Sequence, residues 1–196
     1  MAERKSTINR KTSETNISLT LNLDGTGKYD IQIAVPFMEH MLNLFAKHGL
    51  FDLMVKAQGD IQIDAHHTVD DIGICLGKAF AEALGDKSGI KRFGSVQLPM
   101  DEVLTAVSVD ISGRPYLVYN VPKLQGKVGE FDAELAEEFF QAFATNAGIT
   151  MHIDLIRGEN LHHIIEGIFK AVAKALNVAV SRDERVNGVP STKGII

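Results

Sequence analysis

Seven of the 196 residues are histidines, and four of them fall into two adjacent pairs, His66-His67 and His162-His163. Random placement of seven histidines gives about 0.2 such pairs. Each pair is followed by a carboxylate four residues after its first member, Asp70 after His66 and Glu166 after His162. On a helix, residues four apart share a face, so each imidazole and carboxylate couple can chelate one ion. The second histidine of each pair, His67 or His163, points about 100 degrees round the axis and serves a different ion. Helices of this kind suit an arrangement in which ions bridge elements or subunits. A single such motif is commonly a half-exposed polar helix start, with the acid favouring the positive end of the helix dipole; its duplication is what points to metal.

Four to six ligands per ion require further donors. His40, in the helical segment FMEHML, and His152, in the strand segment ITMHIDL, are the remaining histidine candidates, and Glu138 in AEEFF could add a carboxylate. His48 precedes Gly49 and reads as a helix-end residue facing the C-terminal dipole. Nitrogen-rich sites with one hard oxygen suit Zn, Mn, Fe or Ni.

Arg92, Arg114 and Lys193 each lie beside Gly or Pro in a turn context, where a cation and backbone amides can surround a phosphate. Ser191 and Thr192 add hydroxyl donors. Glu14, in the polar stretch NRKTSETN, and the Asp101-Glu102 pair are acid-base candidates. DGTG and GDKSG are turns, since the chain contains neither GxxxxGK[ST] nor GxGxxG.

The elements that must position these groups follow from periodicity. Residues 16–23 and 28–35 alternate polar and apolar around DGTG and read as a hairpin, and 51–57 and 60–64 read as strands around Gln58-Gly59. Apolar residues recur at helical spacing over 37–48, where Gly49 is a natural stop, and over 66–84. The second half repeats this order: strands over 103–111 and 116–121, a helix over 134–147, a strand over 149–156 and a helix from His162 to about Val178. Sliding the chain by 96 residues lays His66-His67 on His162-His163, Asp70 on Glu166 and Lys78 on Lys174. The reading is an internally duplicated α+β fold, residues 1–88 and 89–196, in which each half lays two helices on a mostly antiparallel sheet.

Composition sets the limits. With 45% apolar and 23% charged residues the chain can bury a core and is not intrinsically disordered. A formal charge of −5 argues against a nucleic-acid partner, and no apolar run is long enough for a membrane helix. A single cysteine, Cys75, and an N-terminus without a signal-peptide pattern make the cytoplasm the expected location.

Nearly end to end, through NRKTSET, LDGTGKYDI, FMEHML, HHTVDDIGICLG, GDKSGIKRFG, PMDE, SGRPY, HHIIEGIFKA and PSTKG, the chain resembles the imidazoleglycerol-phosphate dehydratase family of histidine biosynthesis. The resemblance implies a duplicated fold similar to the second domain of ribosomal protein S5, two Mn(II) ions per active site, and sites completed between subunits of a 24-subunit assembly. It implies His40, His66, His67, Asp70, His162, His163 and Glu166 as metal ligands. It further implies Arg92, Arg114, Ser191 and Lys193, with Thr192 beside them, as phosphate binders, and Glu14 as the acid-base group. The reaction implied is loss of water from imidazoleglycerol phosphate to give imidazole acetol phosphate; the alternative class is a dinuclear metallohydrolase acting on a phosphate ester. Three positions depart from the family pattern. Asp70 replaces a usual Glu and reaches one methylene less far, and Glu39 replaces an Asp beside His40. Glu138 stands where a His is common, so that Glu138 and His152 compete for the last ligand place.

Overall fold

The computed structural model describes residues 3–196. The first half runs β1 (Lys5–Lys11), β2 (Thr15–Asn22), β3 (Tyr29–Gln32), α1 (Pro36–Gly49), β4 (Asp52–Gly59) and α2 (His66–Leu84). The second repeats it as β5 (Phe93–Met100), β6 (Val103–Asp110), β7 (Tyr116–Asn120), α3 (Leu135–Ala147), β10 (Thr150–Arg157) and α4 (Leu161–Val180), with a small hairpin, β8 (Lys127–Val128) and β9 (Phe131–Asp132), inserted before α3. The sheets have matching orders, β1-β2-β4-β3 and β5-β6-β10-β7.

This order overturns the expected hairpins. β2 pairs antiparallel with β1 and β4, while β3 runs parallel to β4 with α1 as the crossover; β6 and β7 are likewise separated by β10. Strands β1 and β5 escape periodicity analysis because β1 has Ile8 as its one apolar residue and β5 is interrupted by Gly94 and Pro99. β1 turns mainly Ser6 and Ile8 inward, and β5 carries Gly94 and Pro99, tolerated where one side of the ladder is unpaired. Residues 60–64 are not a strand. They form a turn closed by the Ile63 amide on the Asp60 carbonyl at 2.9 Å, leaving Ile61 and Ile63 exposed.

Inward residues of β2 (Ile17, Leu19, Leu21) and β4 (Leu53, Val55) meet α2, and the matching face of β6 meets α4. Each fully buried Leu, Ile or Phe contributes roughly 1.5–3 kcal/mol. The other two helices cross over: α1 packs on α4 and α3 on α2, so the halves share one continuous core. Glycines permit the second crossing. A Cβ on Gly73 would lie 2.8 Å from the Phe139 carbonyl oxygen, and one on Gly77 2.6 Å from that of Phe143. Gly49 does not stop α1 as expected. It remains helical, Phe51 packs where its Cβ would be, and Leu50 takes the left-handed cap at φ 57°. Among the described residues, no helix is long and apolar enough to cross a membrane.

Candidate metal centre and anion cavity

Both histidine pairs open helices. Asp64 accepts the His66 amide at 2.7 Å, and Asn160 accepts the His163 amide at 3.2 Å, so short polar side chains satisfy the free N–H groups and fix where each helix starts. The helix crossing then brings His40 of α1 over the first turn of α4. His162 Nε2 lies 3.1 Å and His40 Nε2 3.3 Å from the same Glu166 oxygen, Oε2. One nitrogen or oxygen from each of these three residues lies within 4.8 Å of the others. Two imidazoles and one carboxylate converging in this way make a donor set fitted to a divalent cation.

The remaining Glu166 oxygen, Oε1, accepts from Lys170 at 2.5 Å. Burial pushes the Glu166 carboxyl up, but the Lys170 ammonium outweighs it together with His162 and His40, and the group titrates below its ordinary range. The edge of Phe37 contacts the His162 ring at a centroid distance of 5.1 Å. A cavity of about 830 Å³ opens beside the two imidazoles, walled by Ile61, Ile63, Phe37 and Phe131.

The pseudo-equivalent group in the other repeat is looser. His66 and Glu138 line a second cavity of about 470 Å³, and Asp70 on the same helix feels the Glu138 charge. Burial, and then Asp71, pushes the Asp70 carboxyl up. No hydrogen bond ties His66 to Asp70 among the described residues. His152 stands apart from both groups: it is exposed on β10 between buried Met151 and Ile153, on the sheet face turned away from the helices. Within one chain the structure therefore brings Glu138, and not His152, to the first-repeat pair.

His67 and His163 face outward from their helices and are oriented by carboxylates. With the proton on Nδ1, His67 donates to Asp60 at 3.0 Å, and His163 donates to Glu102 at 2.8 Å. These hydrogen bonds raise both imidazole pKa values, and His163 in turn pulls Glu102 down to about 2. Each arrangement leaves Nε2 as the ring atom for an ion, the usual role of an outer carboxylate behind a metal-binding histidine. Asp60 had no signal in the sequence beyond lying in the misread strand. Glu102, expected as an acid-base group, is tied to His163, and Asp101 approaches the same ring at 3.7 Å from a left-handed turn position. Glu14, in the turn between β1 and β2, lies 4.0 Å from His67 Nδ1 and is half exposed.

Arg92, Arg114, Ser191, Thr192 and Lys193 meet in a cavity of about 690 Å³. Arg92 is largely committed there. Its Nε and Nη2 bond Asp110 at 2.7 and 3.1 Å, and its Nη1 bonds the Pro190 carbonyl at 3.0 Å. It thereby fastens the C-terminal segment, and Asp110 holds its guanidinium in the charged form. Arg114 is mostly exposed, 3.9 Å from Asp110, and Lys193 is exposed on the tail. No residue lines both this cavity and the one beside His40 and His162. His48, half-buried near the end of α1, is pushed down by burial and by Lys170 and Lys174.

The family model described as imidazoleglycerol-phosphate dehydratase matches residues 34–176. The imidazoleglycerol-phosphate dehydratase of Pelobacter propionicus is 63% identical over 193 residues, which cover 98% of this chain and 99% of that protein. That of Caldanaerobacter subterraneus is 58% identical, covering 98% of this chain and all of its own. The crystal structure of the Staphylococcus aureus enzyme superposes with a TM-score of 0.81 at 45% identity, over 91% of this chain and 99% of that one. The Pyrococcus furiosus enzyme, solved in complex with (S)-C348, gives 0.82 at 36% identity, over 96% and 100%. With its duplicated fold and histidine-rich helix starts, the chain belongs to the imidazoleglycerol-phosphate dehydratase family.

Proposed function

We propose that this chain works as a metal-dependent dehydratase of histidine biosynthesis, converting imidazoleglycerol phosphate to imidazole acetol phosphate and water, with two Mn(II) ions per active site. The observation that carries the metal dependence is the convergence of His40, His162 and Glu166 from opposite repeats onto one point. His40, His162 and Glu166 would hold one ion, and His66, Asp70 and Glu138, which converge less closely in the single chain, would supply ligands to the other. The Nε2 atoms of His67 and His163 are available to ions shared with another copy, where His152 could also add a ligand. When bound, the cations supply Lewis acidity and orientation to the substrate's imidazole ring.

The chain's own groups do the rest. Arg114 and Lys193, with Ser191 and Thr192, hold the phosphate, while Arg92 secures the segment that presents them. Anchoring at that end restricts the substrate so that its reacting carbon stays beside a base, which lowers the entropic part of the barrier. Glu14, half exposed and 4.0 Å from His67 Nδ1, is that base. It accepts the proton from the carbon next to the one that loses hydroxyl, and the resulting enol tautomerises to the ketone. The separation of the anion cavity from the histidine cavity within one chain supports sites shared between subunits, as in a 24-subunit homo-oligomer, and the cytoplasm is the fitting location for such an enzyme.

The test is incubation of the purified protein with Mn(II) and imidazoleglycerol phosphate, beside a metal-stripped control. Ketone formed only in the metal-loaded sample supports the reading. Release of inorganic phosphate without ketone would instead identify a metallohydrolase.

A further inference from the structure

The two repeats place a glutamate at the same point of the same hairpin and use it differently. Glu14 sits in the β1–β2 turn and Glu102 in the β5–β6 turn, each beside the second histidine of its repeat. Glu102 closes onto His163 at 2.8 Å and also accepts the Asn160 amide at 3.1 Å. Glu14 stops 4.0 Å short of His67, whose proton goes to Asp60 instead. One carboxylate is therefore spent on orienting a ring, and the other is kept free.

The difference lies in how the turns are anchored. Thr12 Oγ1 accepts the amides of Glu14 and Thr15 at 3.1 and 2.9 Å, and the Thr12 amide donates to the Thr15 carbonyl at 2.9 Å. The buried Thr15 hydroxyl donates to Oδ2 of Asp71, and Oδ1 of Asp71 receives Nε and Nη2 of Arg10 at 2.9 and 2.8 Å. Asp71 is itself buried, and a buried carboxylate is costly unless its oxygens are satisfied as they are here. One carboxylate on α2 thus ties both strands flanking the Glu14 turn to the helix that carries His66, His67 and Asp70. In the second repeat the residue after the metal-facing acid is Gly167, which has no side chain to reach the turn; Val103 opens β6 where Thr15 opens β2 and packs over the glycine, and β6 is tied to α4 further along the strand, by the Thr105 hydroxyl donating to the Gly167 carbonyl at 3.3 Å.

We infer that Asp71, acting through Thr15 and Arg10, is a positioning residue that locks the β1–β2 turn onto α2 and so keeps the Glu14 carboxylate clear of His67 and ready to take the substrate's proton. The inference rests on Glu14 being the base. A displacement of about 1 Å in such a group costs on the order of a hundredfold in rate.

Thr15→Val removes the hydroxyl at nearly constant volume, Thr15→Ser keeps it, and Thr12→Ala loosens the turn from a half-buried position that the core does not need. The expected result is a fall in kcat of about ten- to a hundredfold for Thr15→Val and Thr12→Ala. KM and bound Mn(II) should stay within about twofold, and Thr15→Ser should recover most of the loss. In a Glu14→Gln background, Thr15→Val should add less than about a twofold loss, because the group it positions is gone. An equal loss in both backgrounds, or a fall that tracks metal content, overturns the inference. A damaged Glu14→Gln beside intact Thr15→Val and Thr12→Ala variants overturns the positioning role alone, whereas a fully active Glu14→Gln overturns the assignment of the base beneath it.

Discussion

His40 and Glu166 stand 126 residues apart in the chain and meet at 3.3 Å between Nε2 and Oε2. Neither repeat makes this contact by itself; it exists because α1 of the first half packs on α4 of the second. The ring of His40 is half exposed, so truncation leaves the apolar face of α1 in place. His40→Ala is therefore expected to keep thermal stability within about 1 kcal/mol of the parent. It should weaken Mn(II) binding by at least about a hundredfold, above the range found for losing a supporting partner. Thermal unfolding of the metal-stripped protein reads the first effect and calorimetric titration with Mn(II) the second, and unchanged affinity would remove His40 from the ligand set.

Glu102 makes a different prediction, because it touches an imidazole rather than an ion. Glu102→Ala frees the His163 Nδ1 proton and lets the ring rotate, at a cost of roughly 10–100-fold in metal affinity. Asp60→Ala should do the same through His67. If both variants bind Mn(II) as the parent does, the two carboxylates are surface charges and not part of the centre.

The parts of this architecture that a sequence can disclose are those written in local periodicity. The four long helices are legible because apolar residues such as Ile72, Leu76, Ala79 and Phe80 recur on one face, and the two HH starts are legible because the duplication repeats them. Partner choice is not local. The alternation in 16–23 and 28–35 is real, yet β3 pairs parallel with β4, and only the α1 crossover between them decides that. Ile61 and Ile63 alternate like strand residues but wall a cavity on a turn. In the site, spacing shows that His162, Glu166 and Lys170 share a face of α4, but not that His40 joins them or that Asp60 and Glu102 stand behind the outer imidazoles. Those contacts join segments whose separation carries no pattern.

The anion cavity predicts a division of labour among its cations. Arg114 and Lys193 have their charges available, so Arg114→Ala and Lys193→Ala should each raise KM by about tenfold or more, the equivalent of a hydrogen bond to a charged group. Their kcat should change by less than about threefold. Arg92→Ala should instead loosen the C-terminal segment by removing its bonds to Asp110 and Pro190, seen as faster tail proteolysis. Equal KM effects from all three would mean that Arg92 contacts phosphate as freely as the others.

Asp52 supplies a pH test away from the site. Its Oδ1 accepts the amides of Thr26 and Lys28 at 2.8 and 2.9 Å, closing the turn before β3. Burial pushes this carboxyl up, but the amide donors of Lys28 and Thr26 prevail, and the folded-state pKa is lowered. A depressed folded pKa gives stability that is present above the unfolded value, about 4, and lost as pH falls through the lower folded value. Asp52→Ala should cost about 1–2 kcal/mol in urea unfolding at pH 7. The gap from the parent should narrow progressively below about pH 4. A gap independent of pH would mean that the charge contributes nothing.

The crossing of α2 and α3 makes the last prediction, because it sets Glu138 opposite Asp70. A Cβ on Gly77 would stand 2.6 Å from the Phe143 carbonyl oxygen and 2.9 Å from the Ala147 nitrogen, both backbone atoms that cannot rotate away. Gly77→Ala should therefore separate the helices and destabilise the fold by about 1–3 kcal/mol despite the better helix propensity of alanine. Gly167 on α4 is a fair control, since its added Cβ would meet only side-chain atoms at 3.4–3.6 Å. There the same substitution should be neutral or stabilising by up to about 1 kcal/mol. Urea midpoints of the two variants decide the matter: opposite signs fit a backbone-to-backbone contact between α2 and α3, and a stabilised Gly77→Ala would show that the helices do not approach so closely.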